Sequence, residues 1–186
     1  MASEDFIQPS TETTGSMRPA VVRYGLIGGL AYIIVLLITQ LTGLSEPGNT
    51  AGGVIGFLLN TAIMAGIAIY SIRQYRDEGL HGHIAFGKAL QCAFLAILLA
   101  GVISSVFAFV YYSVIDTSYL TEQLEAAQRT LQDRNMSEEQ IEAAMNIQRS
   151  VMTPGGILVI GVFFNALVGI IVSLIVAAVM KRPAPQ

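Results

Sequence analysis

A chain of 186 residues that is 53% hydrophobic and only 12% charged, with a formal net charge of −3, departs from soluble usage, where about a quarter of residues are charged. No basic cluster is large enough to track phosphates, which excludes nucleic acid as a partner. The lone cysteine, Cys92, excludes an intramolecular disulfide.

Four stretches lack Asp, Glu, Lys and Arg altogether: residues 24–45, 47–72, 89–115 and 150–180. Each exceeds the roughly 20 residues that an α-helix needs to cross a bilayer, and none shows the ten-residue alternation of a membrane β-barrel. The expected fold class is therefore all-α. It is a polytopic membrane protein with four transmembrane helices in an antiparallel bundle, and an amphipathic helical hairpin between spans three and four.

In chain order, residues 1–18 are polar and expected to form a disordered tail, and residues 19–182 form one transmembrane domain. Span one covers about residues 21–44, with Pro19 suited to its first turn and Arg18 and Arg23 anchoring its start. It is too long for a removable signal peptide and is expected to be retained. Glu46, Pro47, Gly48 and Asn49 form a turn cluster, so span two, about residues 51–72, follows as an antiparallel neighbour. Tyr70 and Tyr75 suit an interfacial aromatic belt, Arg73 and Arg76 complement the helix dipole, and Gly79 is placed to stop the helix. Span three covers about residues 86–115 and span four about residues 157–180, leaving residues 183–186 as a short tail.

Residues 116–153 lie between the last two spans. Leu120, Leu124, Ala127 and Leu131 form one helical stripe, and Ile141, Ala144, Met145 and Met152 a second. Asp133, Arg134 and Asn135 break the two apart, and Ser137 with Gln140 is a capping-box pattern. Three bases (Arg129, Arg134, Arg149) against seven acids (Asp116, Glu122, Glu125, Asp133, Glu138, Glu139, Glu142) leave this segment at −4.

Orientation follows from bases near span ends. Arg18, Arg23, Arg73, Arg76, Lys88, Lys181 and Arg182 share one side, against the three arginines of residues 116–153 on the other. That sorting puts both termini in the cytoplasm and the hairpin outside.

Small residues recur four apart on every span. Gly161, Asn165, Gly169, Ser173 and Ala177 share a stripe on span four, and Ala96, Ala100, Ser104 and Ala108 one on span three. Gly25 and Gly29 stand on span one; Gly52, Gly56 and Asn60 on span two. Such residues let helices approach closely in lipid, where no hydrophobic drive brings them together. Packing within one bundle and a homo-oligomer face both use this pattern. Asn60, Gln91 and Asn165 are the deepest polar side chains, available for interhelical hydrogen bonds or for lining a polar path. No acid, base or His lies well inside a span, which argues against a proton relay. His81 and His83 are the only histidines, and two nearby ligands on a glycine-punctuated loop do not define a metal site. No catalytic residue, metal site or cofactor follows from any motif, so an enzyme is not expected.

Arg23-Tyr24-Gly25-Leu26-Ile27-Gly28-Gly29, then Tyr75-Arg76-Asp77, Gly82, Ile84 and Phe86-Gly87-Lys88-Ala89, resemble the DUF4199 family of small bacterial membrane proteins, found mostly in Bacteroidota. The resemblance implies this same layout of spans and supplies no catalytic residues. Arg73, Arg76 and Lys88 beside Ile84 and Phe86 suit anionic lipid headgroups, with Lys88 snorkelling to the interface and Gly82 and Gly87 turning the backbone into span three. The expected function is that of a structural or interaction protein of the envelope, docking a partner through residues 116–153. The alternative is a small carrier or channel-like protein using Asn60, Gln91 and Asn165. Reporter fusions after Gly79 and after Gln132 should read opposite compartments, cytoplasmic and extracytoplasmic. Activity of both in the same compartment would overturn the orientation.

Overall fold

The computed structural model describes residues 15–46 and 48–183. The disorder expected of residues 1–14 and the tail at residues 184–186 lie outside that range, as does Pro47. Six α-helices follow in order: α1 Arg18–Leu41, α2 Thr50–Gln74, α3 Phe86–Val110, α4 Tyr119–Asp133, α5 Glu138–Val151 and α6 Pro154–Met180. Wider π-turns extend α2 through Tyr75–Gly79 and α3 through Tyr111–Ile115. Four helices are long and apolar enough to cross a bilayer: Arg18–Leu41, Thr50–Gly79, Phe86–Ile115 and Pro154–Met180, of 24, 30, 30 and 27 residues. At 1.5 Å per residue these reach roughly 36–45 Å, beyond the 30 Å of hydrocarbon.

Local chemistry sets the boundaries. Pro19 sits in the first turn of α1, so the helix starts earlier than the apolar run does. The Asn49 side chain accepts from Gly52 N at 2.8 Å to begin α2, and Thr153 does the same for Gly156 N at 3.0 Å in α6. Ser137 and Gln140 form the reciprocal capping box of α5. Gly79 closes α2 through the π-turn rather than through a left-handed cap. Positive φ falls instead on His81 (51°) and Gly82 (90°), the residues that turn the chain toward α3. Gly87 lies inside α3 in helical conformation, so the tight turn does not need it.

α3 is the central helix. It makes its most extensive contacts with α6 and α1 and also touches α2, whereas α1 and α6 make no comparable contact with each other. Its inward residues are small: Ala89, Ala93, Ala96 and Ala100 are fully buried, together with Cys92 and Ile97. Glycines on the flanking helices receive the larger side chains of α3. A Cβ on Gly25 would fall 2.6 Å from Leu99, on Gly29 2.9 Å from Ile103, and on Gly169 2.8 Å from Ile97. The contact is thus backbone against side chain, which maximises dispersion where lipid offers no hydrophobic drive. The outward faces are mostly apolar, with Leu26, Leu30, Phe163 and Ile175 all more than half exposed.

One end of the bundle gathers Gly15, whose N–H donates to Gly79 O at 3.0 Å, and Ile84, which exchanges backbone bonds with Arg182 at 2.8 and 2.9 Å. Ile84 is 1% exposed and so belongs to the core, not to the lipid interface where the sequence suggested it. Tyr75 turns inward too, at 4% exposure, leaving Tyr70 exposed and stacked on Tyr24 at 5.9 Å. The other end gathers Gln40, which donates to Asp116 at 3.4 Å, and Gln123, which donates to Ser45 O at 3.4 Å.

α4 and α5, joined by residues 134–137, contact one another. Leu120 and Met145 are buried, and Leu124, Ala127, Leu131, Ile141 and Ala144 half-buried, so the apolar stripes are the inward ones. Tyr119 stacks on Tyr112 with ring centroids 4.6 Å apart, which fixes the start of α4 against the end of α3. Burial raises the Tyr119 phenol above its ordinary pKa, so it stays neutral.

Gly29→Val should destabilise the bundle by about 1–3 kcal/mol through overpacking against Ile103, read as a lowered unfolding midpoint in detergent. The same change at Gly53, where an added Cβ meets nothing within 4 Å, should cost only helix propensity, under about 1 kcal/mol.

Candidate functional site

α2 carries little side-chain volume over its first turns. Gly52, Gly53 and Gly56 lie there, and a Cβ added at Gly53 or Gly56 would meet nothing within 4 Å. The stripe Gly52, Gly56, Asn60 was expected to pack against a neighbour. Instead Gly56 and Asn60 line an open-sided cavity of about 380 Å³, bounded by α1, α2, α3 and α6. Further along α2 the gap is closed by Met64, Ile67, Ala68 and Ile72, all buried.

The cavity wall is apolar with scattered small polar groups: Tyr32 and Thr39 on α1, Asn60 and Thr61 on α2, Ser104 and Ser105 on α3, Asn165 on α6. No Asp, Glu, Lys, Arg or His lines it. Several of the polar groups are satisfied by their own helices. Thr61 donates to Phe57 O at 2.9 Å, Asn60 to Gly56 O at 3.3 Å, and Ser104 to Gly101 O at 3.0 Å. Two are not. The Tyr32 hydroxyl is buried, the residue being 5% exposed, and it has no hydrogen-bond partner; neither has Asn165 Oδ1. Both atoms are closed off even from water, so each is an orphan of the packed interior. A buried polar group left unpaired costs about 1–3 kcal/mol. Gly101 makes the room for Asn165, since a Cβ there would collide with the amide.

The chain matches the family described as "Protein of unknown function (DUF4199)" over residues 23–182. It belongs to that family. No curated protein matches it, and no solved structure does.

Of the polar residues singled out from the sequence of this DUF4199 chain, Asn60 and Asn165 come together at the cavity, while Gln91 is exposed on the outer face of α3. The residue missed was Tyr32. A tyrosine in the middle of span one, remote from either interface, was the available signal. On the span-four stripe, Gly169, Ser173 and Ala177 are buried, and Gly161 and Asn165 half-buried beside the cavity. Arg73 is exposed and Lys88 half-buried. Arg76 is 9% exposed and bound in bidentate fashion by Asp77, at 2.7 and 3.1 Å. Its guanidinium is therefore already paired, and among the three bases Arg73 is the one presented outward. His81 and His83 stand exposed in the α2–α3 connection. Among the described residues no three His, Cys, Asp or Glu side chains gather as a metal site would require.

Tyr32→Phe removes a hydroxyl that bonds nothing, so stability in delipidated detergent should stay level or rise slightly. A fall of about 1 kcal/mol in the unfolding free energy would show instead that the hydroxyl is satisfied by Asn165.

Proposed function

We propose that this DUF4199 protein is a non-enzymatic accessory protein of the bacterial inner membrane. In this reading both termini are cytoplasmic and the four spans form an antiparallel bundle. α4 and α5 form an extracytoplasmic hairpin that docks another envelope protein. Support for the orientation is the sorting of lysine and arginine between the two ends. Support for docking is the surface of α5: Ile147 is 70% exposed and Val151 38% exposed, in a segment with the acids Glu138, Glu139 and Glu142 exposed alongside. An exposed apolar strip edged by carboxylates fits a basic amphipathic helix, the helix-in-groove mode of recognition, with charge setting the partner and the register.

A photo-crosslinker at Ile147 should capture a partner segment rich in Lys and Arg. Capture should fall severalfold when Glu138, Glu139 and Glu142 are changed to Gln, and also at high salt. Capture of this chain alone, or capture indifferent to those charges, would overturn the docking of a second protein.

The carrier reading keeps one observation in its favour, the convergence of Asn60 and Asn165 on a single cavity. Flux of an uncharged solute across proteoliposomes, abolished by Asn165→Leu, would support it.

A further inference from the structure

The end of the bundle where Ile84 pairs with Arg182 carries an uneven charge. Its seven bases face two acids among the described residues, Asp77 and Glu78. Asp77 is engaged by Arg76 at 2.7 and 3.1 Å, and Glu78 accepts from Gln74 at 2.8 Å. The sequence suggests a headgroup site at Arg73, Arg76 and Lys88, but the packing regroups it. Arg76 is committed to Asp77, and Lys88 is half-buried at the start of α3. Arg73 is exposed, and the base that comes level with it is Arg23 on α1.

Two tyrosines set that register. Tyr24 on α1 and Tyr70 on α2 stack with ring centroids 5.9 Å apart, which puts them close to one depth. In the antiparallel arrangement proposed above, Arg23 stands one residue nearer the bundle end than Tyr24, and Arg73 three nearer than Tyr70. At 1.5 Å per residue the two arginines then differ in depth by only about 3 Å. The Arg23 guanidinium carbon lies 5.8 Å from the centre of the Tyr24 ring, a cation–π contact that restrains the side chain. Arg73 follows Tyr70 by three residues and so shares its face of α2. Both arginines are exposed, and the ion pairs among the described residues, Arg76–Asp77 and Arg129–Glu125, involve neither.

The site spans the boundary between headgroups and chains. Arg73 lies 23 residues past Thr50, about 35 Å along the helix and so beyond the roughly 30 Å of hydrocarbon. One turn deeper than Tyr70 on the same face, Gly66 leaves backbone bare, and a Cβ there would meet nothing within 4 Å. One turn deeper than Arg23, Ile27 is 54% exposed. Two unpaired guanidiniums above an apolar strip suit a phosphate that carries acyl chains, bound through charge-assisted hydrogen bonds. A zwitterionic lipid brings an ammonium of its own toward the two guanidiniums, which disfavours it. We propose that Arg23 and Arg73 clamp the phosphate of an anionic glycerophospholipid beside the Tyr24–Tyr70 stack, with an acyl chain lying along Gly66 and Ile27. The proposal rests on the antiparallel arrangement of α1 and α2, and not on which end of the bundle is cytoplasmic.

The chain has no tryptophan, so Ile27→Trp supplies a single fluorescent reporter beside the site. The full chain carrying it is reconstituted in phosphatidylcholine vesicles containing a minor fraction of phosphatidylglycerol. Quenching by phosphatidylglycerol brominated in its acyl chains is compared with quenching by equally brominated phosphatidylcholine at the same mole fraction. Phosphatidylglycerol should reach the reporter about fivefold above its mole fraction. Arg23→Gln and Arg73→Gln should each lower that enrichment and together abolish it. Arg18→Gln with Lys181→Gln, which removes the same charge from the same end, should leave it intact. Unchanged quenching by brominated phosphatidylcholine across the variants shows that the fold and the reporter's depth are kept. Absence of enrichment, equal loss in the two double variants, or an effect of Arg23→Gln without one of Arg73→Gln would overturn the clamp. Inorganic phosphate at constant ionic strength should not displace the lipid, and displacement would reassign the site to a soluble phosphate. The reporter fusions at Gly79 and Gln132 test the orientation separately, and a reversed result there moves the site to the other leaflet without altering these outcomes.

Discussion

Everything in this bundle depends on how closely α3 approaches the backbones of α1 and α6. In water, helices associate because apolar surface leaves solvent; in lipid that drive is absent, and dispersion at short range must hold them together. The sequence meets this constraint in a complementary way. α3 contributes small inward residues along one side, such as Ala96 and Ala100, and larger ones, Ile97, Leu99 and Ile103, where its partners have glycine. Each of these three large side chains lies against a bare stretch of backbone on α1 or α6.

The same device, left without a partner, produces the cavity. Gly53 and Gly56 on α2 face no inserted side chain, so the first turns of α2 bound empty space instead of a helix. Closure resumes at Met64 and continues through Ile72. The bundle is therefore tight at the end where Ile84 and Arg182 pair their backbones and open toward the end where α4 begins. Tyr32 stands at the boundary between these two regimes, which is why its hydroxyl is buried and yet unsatisfied. Buried polar groups without partners are rare in folded proteins and call for an explanation.

Much of the architecture was legible in the sequence because membrane residence is a matter of counting. The four uncharged runs became four long apolar helices, the two stripes of residues 116–153 became the inward faces of α4 and α5, and the capping box at Ser137 formed. The family, too, was readable from its tyrosine, glycine and basic motif. What could not be read was facing. Hydropathy says that a residue lies within a span but not which way it points, since both lipid and core are apolar. Thus Gln91, which looked buried, faces outward, while Ile84 and Tyr75, which looked interfacial, turn into the core. Nor does a small-residue stripe say whether a neighbour will fill it. Those on α1 and α6 are filled, whereas Gly56 on α2 is open.

The central claim, that glycine backbone on the flanking helices is matched to large side chains of α3, is most directly tested at Gly169 and Ile97, where an added Cβ would fall 2.8 Å from the isoleucine Cγ2. In a double-mutant cycle of Gly169→Ala and Ile97→Ala, unfolded reversibly in bicelles, each single change should destabilise. The pair should then be less destabilised than the sum by about 1 kcal/mol or more, because the new methyl occupies the space the isoleucine vacates. Strict additivity would mean that the two helices do not meet there, and would contradict the account.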